Sequence, residues 1–338
     1  MSKKTIARIR SRDLNNAGSG LDERSGDEWP EQLAVRIARC YYELGMTQQQ
    51  IAEELGIGRA RVIRLLAEAR ERGVVTISIN SPLTENLDLA ERLVNRFNLE
   101  SAEVCLAQTH DELTLAQQLG AAAGDYIWRF IDDNMTISVG WGMTLKELVK
   151  QLDKRDTQNV SVVSLLGSLT RMSSVSRFEA TTEFAEILGA ECHYLTAPIV
   201  CDSKQTREHL VSQSMFEEVR HMGLSSDLAI VSIGGLDSAT IRKVDMVSDA
   251  DFISVRKKGA IGNFLGYYID DRADIVAHPI NERIIGISGE QFRNIPRRIM
   301  ISGGLNKVTA LNAVLEEGLL TDIVTDSKTA KALLNMQS

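Results

Sequence analysis

The stretch from Thr47 to Leu66, TQQQIAEELGIGRARVIRLL, constrains this chain more than any other, because it has the spacing of two short helices that cross steeply around a tight turn. Apolar or small residues fall at Ile51, Ala52, Leu55, Ile57, Val62 and Leu65, where such helices must interlock. Gly56 stands where the turn needs left-handed backbone, a conformation in which a Cβ is sterically penalised. Thr47 caps the first helix, and Gln50 completes a capping box with it. The second helix is expected from about Arg59 to Glu71, burying Val62, Leu65, Leu66 and Ala69. That orientation turns Arg59, Ala60, Arg61 and Arg64 outward. Arginine carries a planar fork that pairs bidentately with guanine or clamps a phosphate, and a cluster at the start of a recognition helix is where such motifs meet base edges. The candidate DNA-facing residues are therefore Thr47, Gln48, Gly58, Arg59, Ala60, Arg61 and Arg64, on a double-stranded operator.

At 338 residues the chain is long enough for about two domains. Net charge is −8, unpromising for a DNA binder until it is divided along the chain. Residues 1 to 80 hold 13 Lys and Arg against 11 Asp and Glu, a net +2; the rest keeps 25 of the 38 basic and 35 of the 46 acidic residues, a net −10. A small DNA module on a large acidic body fits that asymmetry. No secretory signal and no apolar run of about 18 residues is present, which points to the cytoplasm. Cys40, Cys105, Cys192 and Cys201 are scattered without ligand spacing, so reduced core thiols are expected and no metal site.

Residues 1 to 27 read as a disordered basic tail carrying Lys3, Lys4, Arg8, Arg10 and Arg12. A supporting helix follows from about Trp29 to Leu44, with Pro30 in its first turn. After Gly73 the run VVTISI, Val74 to Ile79, reads as the strand of a wing, so that residues 28 to 82 form a winged helix-turn-helix domain. Ser81-Pro82 breaks the pattern, and residues 83 to 338 form the body. There, short β-branched runs alternate with helical stretches: AEVCLA, TISVG, VSVVSLL, LAIVSI, RIMIS and DIVTD are the strands. Apolar strands of this kind belong to an α/β, doubly wound, mostly parallel sheet covered by helices on both faces.

Several of these strands run into glycine: Gly140-Trp141-Gly142-Met143-Thr144, Gly167-Ser168, Gly234-Gly235 and Gly303-Gly304-Leu305-Asn306-Lys307. At the carboxyl ends of an open α/β sheet, glycine lets backbone N–H groups approach a ligand, and Lys307 would add a point charge for a phosphate or carboxylate. Gly140, Gly142 and Leu145 give GxGxxL without a third glycine, and no GK[ST] occurs, so neither NAD nor ATP and no other cofactor is expected. A small anionic metabolite fits better.

Taken together, these residues resemble the SorC family of bacterial sugar-binding transcription regulators, over essentially everything after residue 28. The resemblance rests on the T-x3-IA-x2-LGI-x-R-x2-V-x-RLL-x2-AR-x2-GVV hairpin, the VGWGMTL loop, KKGAIGNFLGYYID at Lys257 to Asp270, and ISGGLNKVTALNAVLEEGLLTDIVTD at Ile301 to Asp326. It implies an effector domain similar to phosphosugar isomerases and deaminases, which binds a phosphorylated sugar or polyol and so alters the grip of a homotetramer on its operator. It would place Gly142, Thr144, Gly167 and Ser168 at one end of the effector and Asn263 and Lys307 at the other. Two positions depart from the family pattern: Gly58 stands where Ser or Thr usually begins the recognition helix, and Asn263 stands where an acid is common.

A rival from another class is a phosphosugar isomerase or deaminase with an appended DNA module, which would need a positioned general base. Asp251, Asp326 and His193 are its isolated candidates near the predicted strand ends. A constitutive DNA organiser would leave roughly 250 residues of α/β body without a role.

Overall fold

The structure is a computed structural model that describes residues 31–76, 81–106, 111–168, 179–243, 246–336. The chain divides into two compact units between Ile79 and Asn80, just ahead of the boundary expected at residue 82. The basic tail and Pro30 lie outside the described residues.

The first unit holds α1 (Glu31–Tyr42), α2 (Gln48–Leu55) and α3 (Arg59–Glu71). The Thr47 side chain accepts the Gln50 N–H and the Gln50 side chain accepts the Thr47 N–H, at 2.9 Å for the latter. Gly56 closes α2 at φ 63°, ψ 30°, where only glycine sits without strain. The next amide, Ile57 N–H, donates to Ala52 O at 3.0 Å and turns the chain into α3. Ile37, Ile51, Val62, Leu65 and Leu66 form the core of the unit, with Leu55 and Ile57 packed at its margin. The expected wing strand does not begin at Val74: Val75 N–H donates to Ala69 O at 3.1 Å, so its hydrogen bond terminates α3 instead of starting a ladder. The rest of that run, 77–79, lies outside the described residues.

The second unit begins with α4 (Pro82–Phe97) and continues β1 (Ser101–Cys105), α5 (Glu112–Ile127), β2 (Thr136–Val139), α6 (Met143–Val149), β3 (Ser161–Ser168), α7 (Thr181–Leu188) and β4 (Glu191–Pro198). Then come α8 (Lys204–Val211), α9 (Ser214–Leu224), β5 (Leu228–Val231), β6 (Ile233–Gly235), α10 (Thr240–Lys243), α11 (Asp249–Lys257), β7 (Gly262–Phe264) and β8 (Tyr267–Ile269). It ends with α12 (Gly289–Phe292), β9 (Arg297–Ile301), α13 (Val308–Glu316), β10 (Asp322–Asp326) and α14 (Ser327–Asn335).

Seven strands form one sheet in the order β1-β10-β9-β5-β2-β3-β4, every neighbouring pair parallel. The alternation expected of strands buried on both faces is visible in β5, where Leu228 and Ile230 join one core and Ala229 and Val231 the other. One face packs Leu119, Leu145 and Phe184 of α5, α6 and α7; the opposite face packs Leu93, Leu311 and Leu333 of α4, α13 and α14. The sheet is thus doubly wound, as the alternation of strands and helices predicts.

From β2 the chain steps outward through β3 to β4, then returns to β5 on the other side of β2 and steps outward again through β9 and β10. The order reverses between β2 and β5. Loops leaving two such strands diverge and open a crevice at their carboxyl ends. β6, β7 and β8 form a separate antiparallel sheet beside that crevice, and with β4 they are the strands sequence patterning did not separate.

Candidate functional site

In the first unit Arg59, Ala60, Arg61 and Arg64 are all exposed along α3, while Val62, Leu65, Leu66 and Ala69 are buried. Gly58 caps α3 without a side-chain bond. The Thr47 hydroxyl is engaged in the capping box with Gln50, so its contribution is to fix where α2 starts; Gln48 beside it is half-buried. Arg64 forms an i,i+4 pair with Glu68 at 3.6 Å, exposed on the arginine side and worth a few tenths of a kcal/mol. Arg64 can therefore leave Glu68 for a phosphate at little cost, whereas Arg61 has no such pair among the described residues. Arg61→Ala should weaken specific DNA binding by about 1–3 kcal/mol with relaxed discrimination at one base pair, and Arg64→Ala should weaken binding to all sequences alike. Gel shifts on operator and scrambled duplexes over a salt series separate these patterns; a flat salt response would remove α3 as the DNA surface.

In the second unit a cleft opens where β2 and β5 part. Gly140, Trp141, Gly142, Met143 and Thr144 line one wall, Val231 to Gly234 the floor, and Asn263 with Lys307 the far side. Gly142 adopts φ 138°, a backbone that strains any L side chain, and its carbonyl accepts the Lys146 N–H at 3.1 Å to start α6. Asn263 on β7 pairs with Gly234 on β6, is 9% exposed, and donates its Nδ2 to Gly266 O at 2.7 Å. Its other amide atom is an acceptor, so it presents a carbonyl where an acid would present a charge. Lys307 is also 9% exposed and ends the 3-10 turn Leu305–Lys307 that leads into α13. The turn is pressed onto β6, where a Cβ at Gly235 would lie 2.2 Å from Asn306 O, and α13 onto β7, where a Cβ at Gly262 would lie 2.4 Å from Ala310 Cβ. These glycines bring Lys307 to the same cleft as Asn263.

Gly142, Thr144, Gly234, Asn263 and Lys307 thus come together, while four other expected residues do not. Gly303 and Gly304 line an adjacent cleft with Asp326 and Lys328. Gly167 and Ser168 lie at the irregular end of the β3–β4 pairing, where a Cβ on Gly167 would come within 2.9 Å of Ile199 Cα. Close approach of neighbouring strands accounts for that glycine. Glu112 at the start of α5 borders both clefts, and Trp141, Ser232, Ser238 and Thr240 complete the first. Sequence reasoning missed Glu112, although Asp111 is a legible N-cap one residue before it.

The three candidate bases lie elsewhere. Asp326 is 1% exposed and caps α14 through Lys328 N and Thr329 N, while its second oxygen accepts the Gly304 N–H at 3.1 Å and the Thr329 hydroxyl. Asp251 is held by Arg283 at 2.9 Å, and His193 sits on β4 with Nε2 3.7 Å from Glu191. The described cysteines are free, Cys40 and Cys201 buried and Cys105 and Cys192 half-buried. Burial, reinforced by Asp326, pushes the Cys105 thiol up to about 12, so it stays protonated. Among the described residues no group of metal-ligating side chains is present, and no helix is long and apolar enough to cross a membrane.

A helix-turn-helix unit joined to a doubly wound body with a polar cleft at its switch point defines a DNA-binding regulator that senses a small molecule. Residues 81–335 match the Sugar-bind family model, "Putative sugar-binding domain". The chain is 31% identical to the erythritol catabolism regulatory protein EryD of Brucella abortus (90% of this chain, 96% of that one) and 29% identical to the deoxyribonucleoside regulator of Bacillus subtilis (91% and 99%). The crystal structure of the full-length sorbitol operon regulator SorC from Klebsiella pneumoniae superposes with a TM-score of 0.70 at 28% identity, covering 90% of this chain and 99% of that chain. The chain belongs to the SorC family of transcription regulators, with the family's sugar-binding domain as its second unit.

Proposed function

We propose that the protein is a cytoplasmic homotetramer whose grip on its operator is set by a phosphorylated sugar or polyol bound between the Gly140–Thr144 loop and Lys307, and that it catalyses no reaction on that ligand. Residues 28–82 serve as the DNA module and residues 83–338 as the effector and oligomerisation domain. The observation that carries this reading is the near-complete burial of Lys307 in the lining of a glycine-lined cleft at the switch point. A buried cation there favours an anionic ligand over a neutral sugar. Asn263 and Thr144 supply hydrogen-bonding groups for hydroxyls on the same ligand, and Trp141 an apolar face. None of Asp251, Asp326 and His193 borders the cleft; the carboxylate that does is Glu112.

The open core of the cleft is about 50 Å³, room for roughly four waters. A sugar phosphate is several times larger, so its binding requires the walls to part. A ligand that fits only the opened form stabilises that form by its differential affinity, which is the basis of a response at a distance. In a thermal-shift screen of sugar phosphates, polyol phosphates and their unphosphorylated parents, one phosphorylated compound at 100 times its Kd should add about 2.7 kcal/mol to stability and its parent much less. Equal stabilisation by the parent would overturn the phosphate reading, and sustained conversion of the ligand would overturn the regulator-only reading.

A further inference from the structure

A second concavity, which shares no lining residue with the first, lies between α8, α9 and the segment 275–291. It measures about 700 Å³, within the usual range for small-molecule sites. Four cations border it: Lys204 and Arg207 of α8, Arg220 of α9, and Lys258 just past α11, against two carboxylates, Glu282 and Glu290. This net positive concavity stands on a body whose overall charge is −10.

The hydrogen bonding of these cations is incomplete. Arg207 donates Nε to Ile284 O at 2.7 Å, and among the described residues its two terminal amino groups have no partner. Arg220 is half-buried and, among the described residues, forms neither a hydrogen bond nor an ion pair. Lys258 gives one N–H to Ala277 O at 2.8 Å and keeps two. Lys204 approaches Glu282 only at 3.6 Å, both groups more than half exposed. Arginine forks with unspent donors match the oxygens of phosphate. Tyr267 and Val276, both nearly buried, give the concavity an apolar wall. An amphipathic anion fits this combination better than a bare ion.

We propose that this concavity is a second ligand site, distinct from the cleft at the strand carboxyl ends, for a small organic phosphate bearing at least two negative charges. Arg207 and Arg220 bind its oxygens and Lys258 completes the charge. Tyr267 and Val276 take its organic part.

Inorganic pyrophosphate, a compact probe with at least two negative charges near neutral pH, is titrated calorimetrically into the full-length protein, into Lys307→Ala, and into Arg207→Gln/Arg220→Gln. Wild type and Lys307→Ala should bind alike, and the double variant at least tenfold more weakly. Arg220→Lys should lose less than Arg220→Gln, because charge is retained without the fork. Arg220→Gln alone decides if the double variant melts below wild type. Absence of binding, loss of it in Lys307→Ala, or equal binding by all variants would overturn the site. So would unchanged pyrophosphate affinity together with a smaller assembly in sedimentation, which would make the concavity an interface between copies.

Discussion

Lys307→Ala is expected to abolish the response to the phosphorylated effector while leaving operator affinity within about twofold of wild type. Lys307 is nearly buried in the lining of the cleft, and a charge-assisted hydrogen bond to phosphate contributes roughly 1.5–3 kcal/mol, tenfold to more than a hundredfold in Kd. The side chains proposed to read the operator, Arg59, Arg61 and Arg64, belong to the other compact unit, which has its own core around Ile37, Ile51 and Val62. Lys307→Met keeps most of the stem and removes only the charge, so it should match Lys307→Ala in affinity while melting closer to wild type. Lys307→Arg should rescue partly, since the broader fork must fit a position only 9% exposed. Calorimetric titration of the effector found by thermal shift, paired with gel shifts with and without it, decides the matter. Equal affinity in wild type and Lys307→Ala would remove Lys307 from the site and take the phosphate reading with it.

The helix pair was legible in the sequence almost to the residue because each of its determinants is local. The capping box at Thr47, the left-handed Gly56 and the apolar spacing from Ile51 to Leu65 act within one or two turns, and α3 runs from Arg59 to Glu71 as the pattern predicts. The parallel sheet was legible for a similar reason, since continuous runs such as LAIV are buried on both faces. β4 was not, because ECHYLTAP mixes exposed and half-buried positions at the edge of the sheet, where polar residues are tolerated. The β6–β8 sheet escaped because its strands are three residues each and two of them carry glycine for packing reasons.

The cleft was half legible. Glycine after a strand marks a close approach, but not what approaches. At Gly142 the open side faces the cleft; at Gly167 it is another strand, and at Gly303 it is the Asp326 carboxylate, 2.3 Å from where a Cβ would stand. Only the three-dimensional arrangement tells these apart. Lys307 was found because a lysine after two glycines at a strand end has few purely structural reasons to be there. Glu112 was missed because an acid in the first turn of a helix is ordinarily explained by the helix dipole.

The largest stability effect should come from the opposite end of the sheet. Asp322, the first residue of β10, is fully buried and accepts Arg297 Nε at 3.0 Å, Arg297 Nη2 at 3.2 Å, the Tyr126 hydroxyl at 2.6 Å and the Thr321 hydroxyl at 2.6 Å. The guanidinium also reaches Glu100 at 2.9 Å and lies over the Phe130 ring, 3.8 Å from its centroid. Burial alone would push the arginine's pKa down, but hydrogen bonds and charge from Asp322 outweigh it and raise it. Burial, with the same carboxylate, pushes the Tyr126 phenol well above its ordinary range, so it stays a donor. The network joins α5, β9 and β10 through one carboxylate that has no access to water. Arg297→Met removes its counter-charge and should cost about 3–5 kcal/mol, the usual penalty for an uncompensated buried ion, a drop in Tm on the order of 10 °C. Adding Asp322→Asn to Arg297→Met removes that ion as well, and the double variant should recover more than half of the loss. Effector affinity of the folded fraction should not change, because the cleft lies at the carboxyl ends of the same strands. Denaturant melts of the two single variants and the double variant measure the coupling directly; a cost below about 1 kcal/mol for Arg297→Met, or additive losses in the double variant, would show that Asp322 is held by Tyr126 and Thr321 alone.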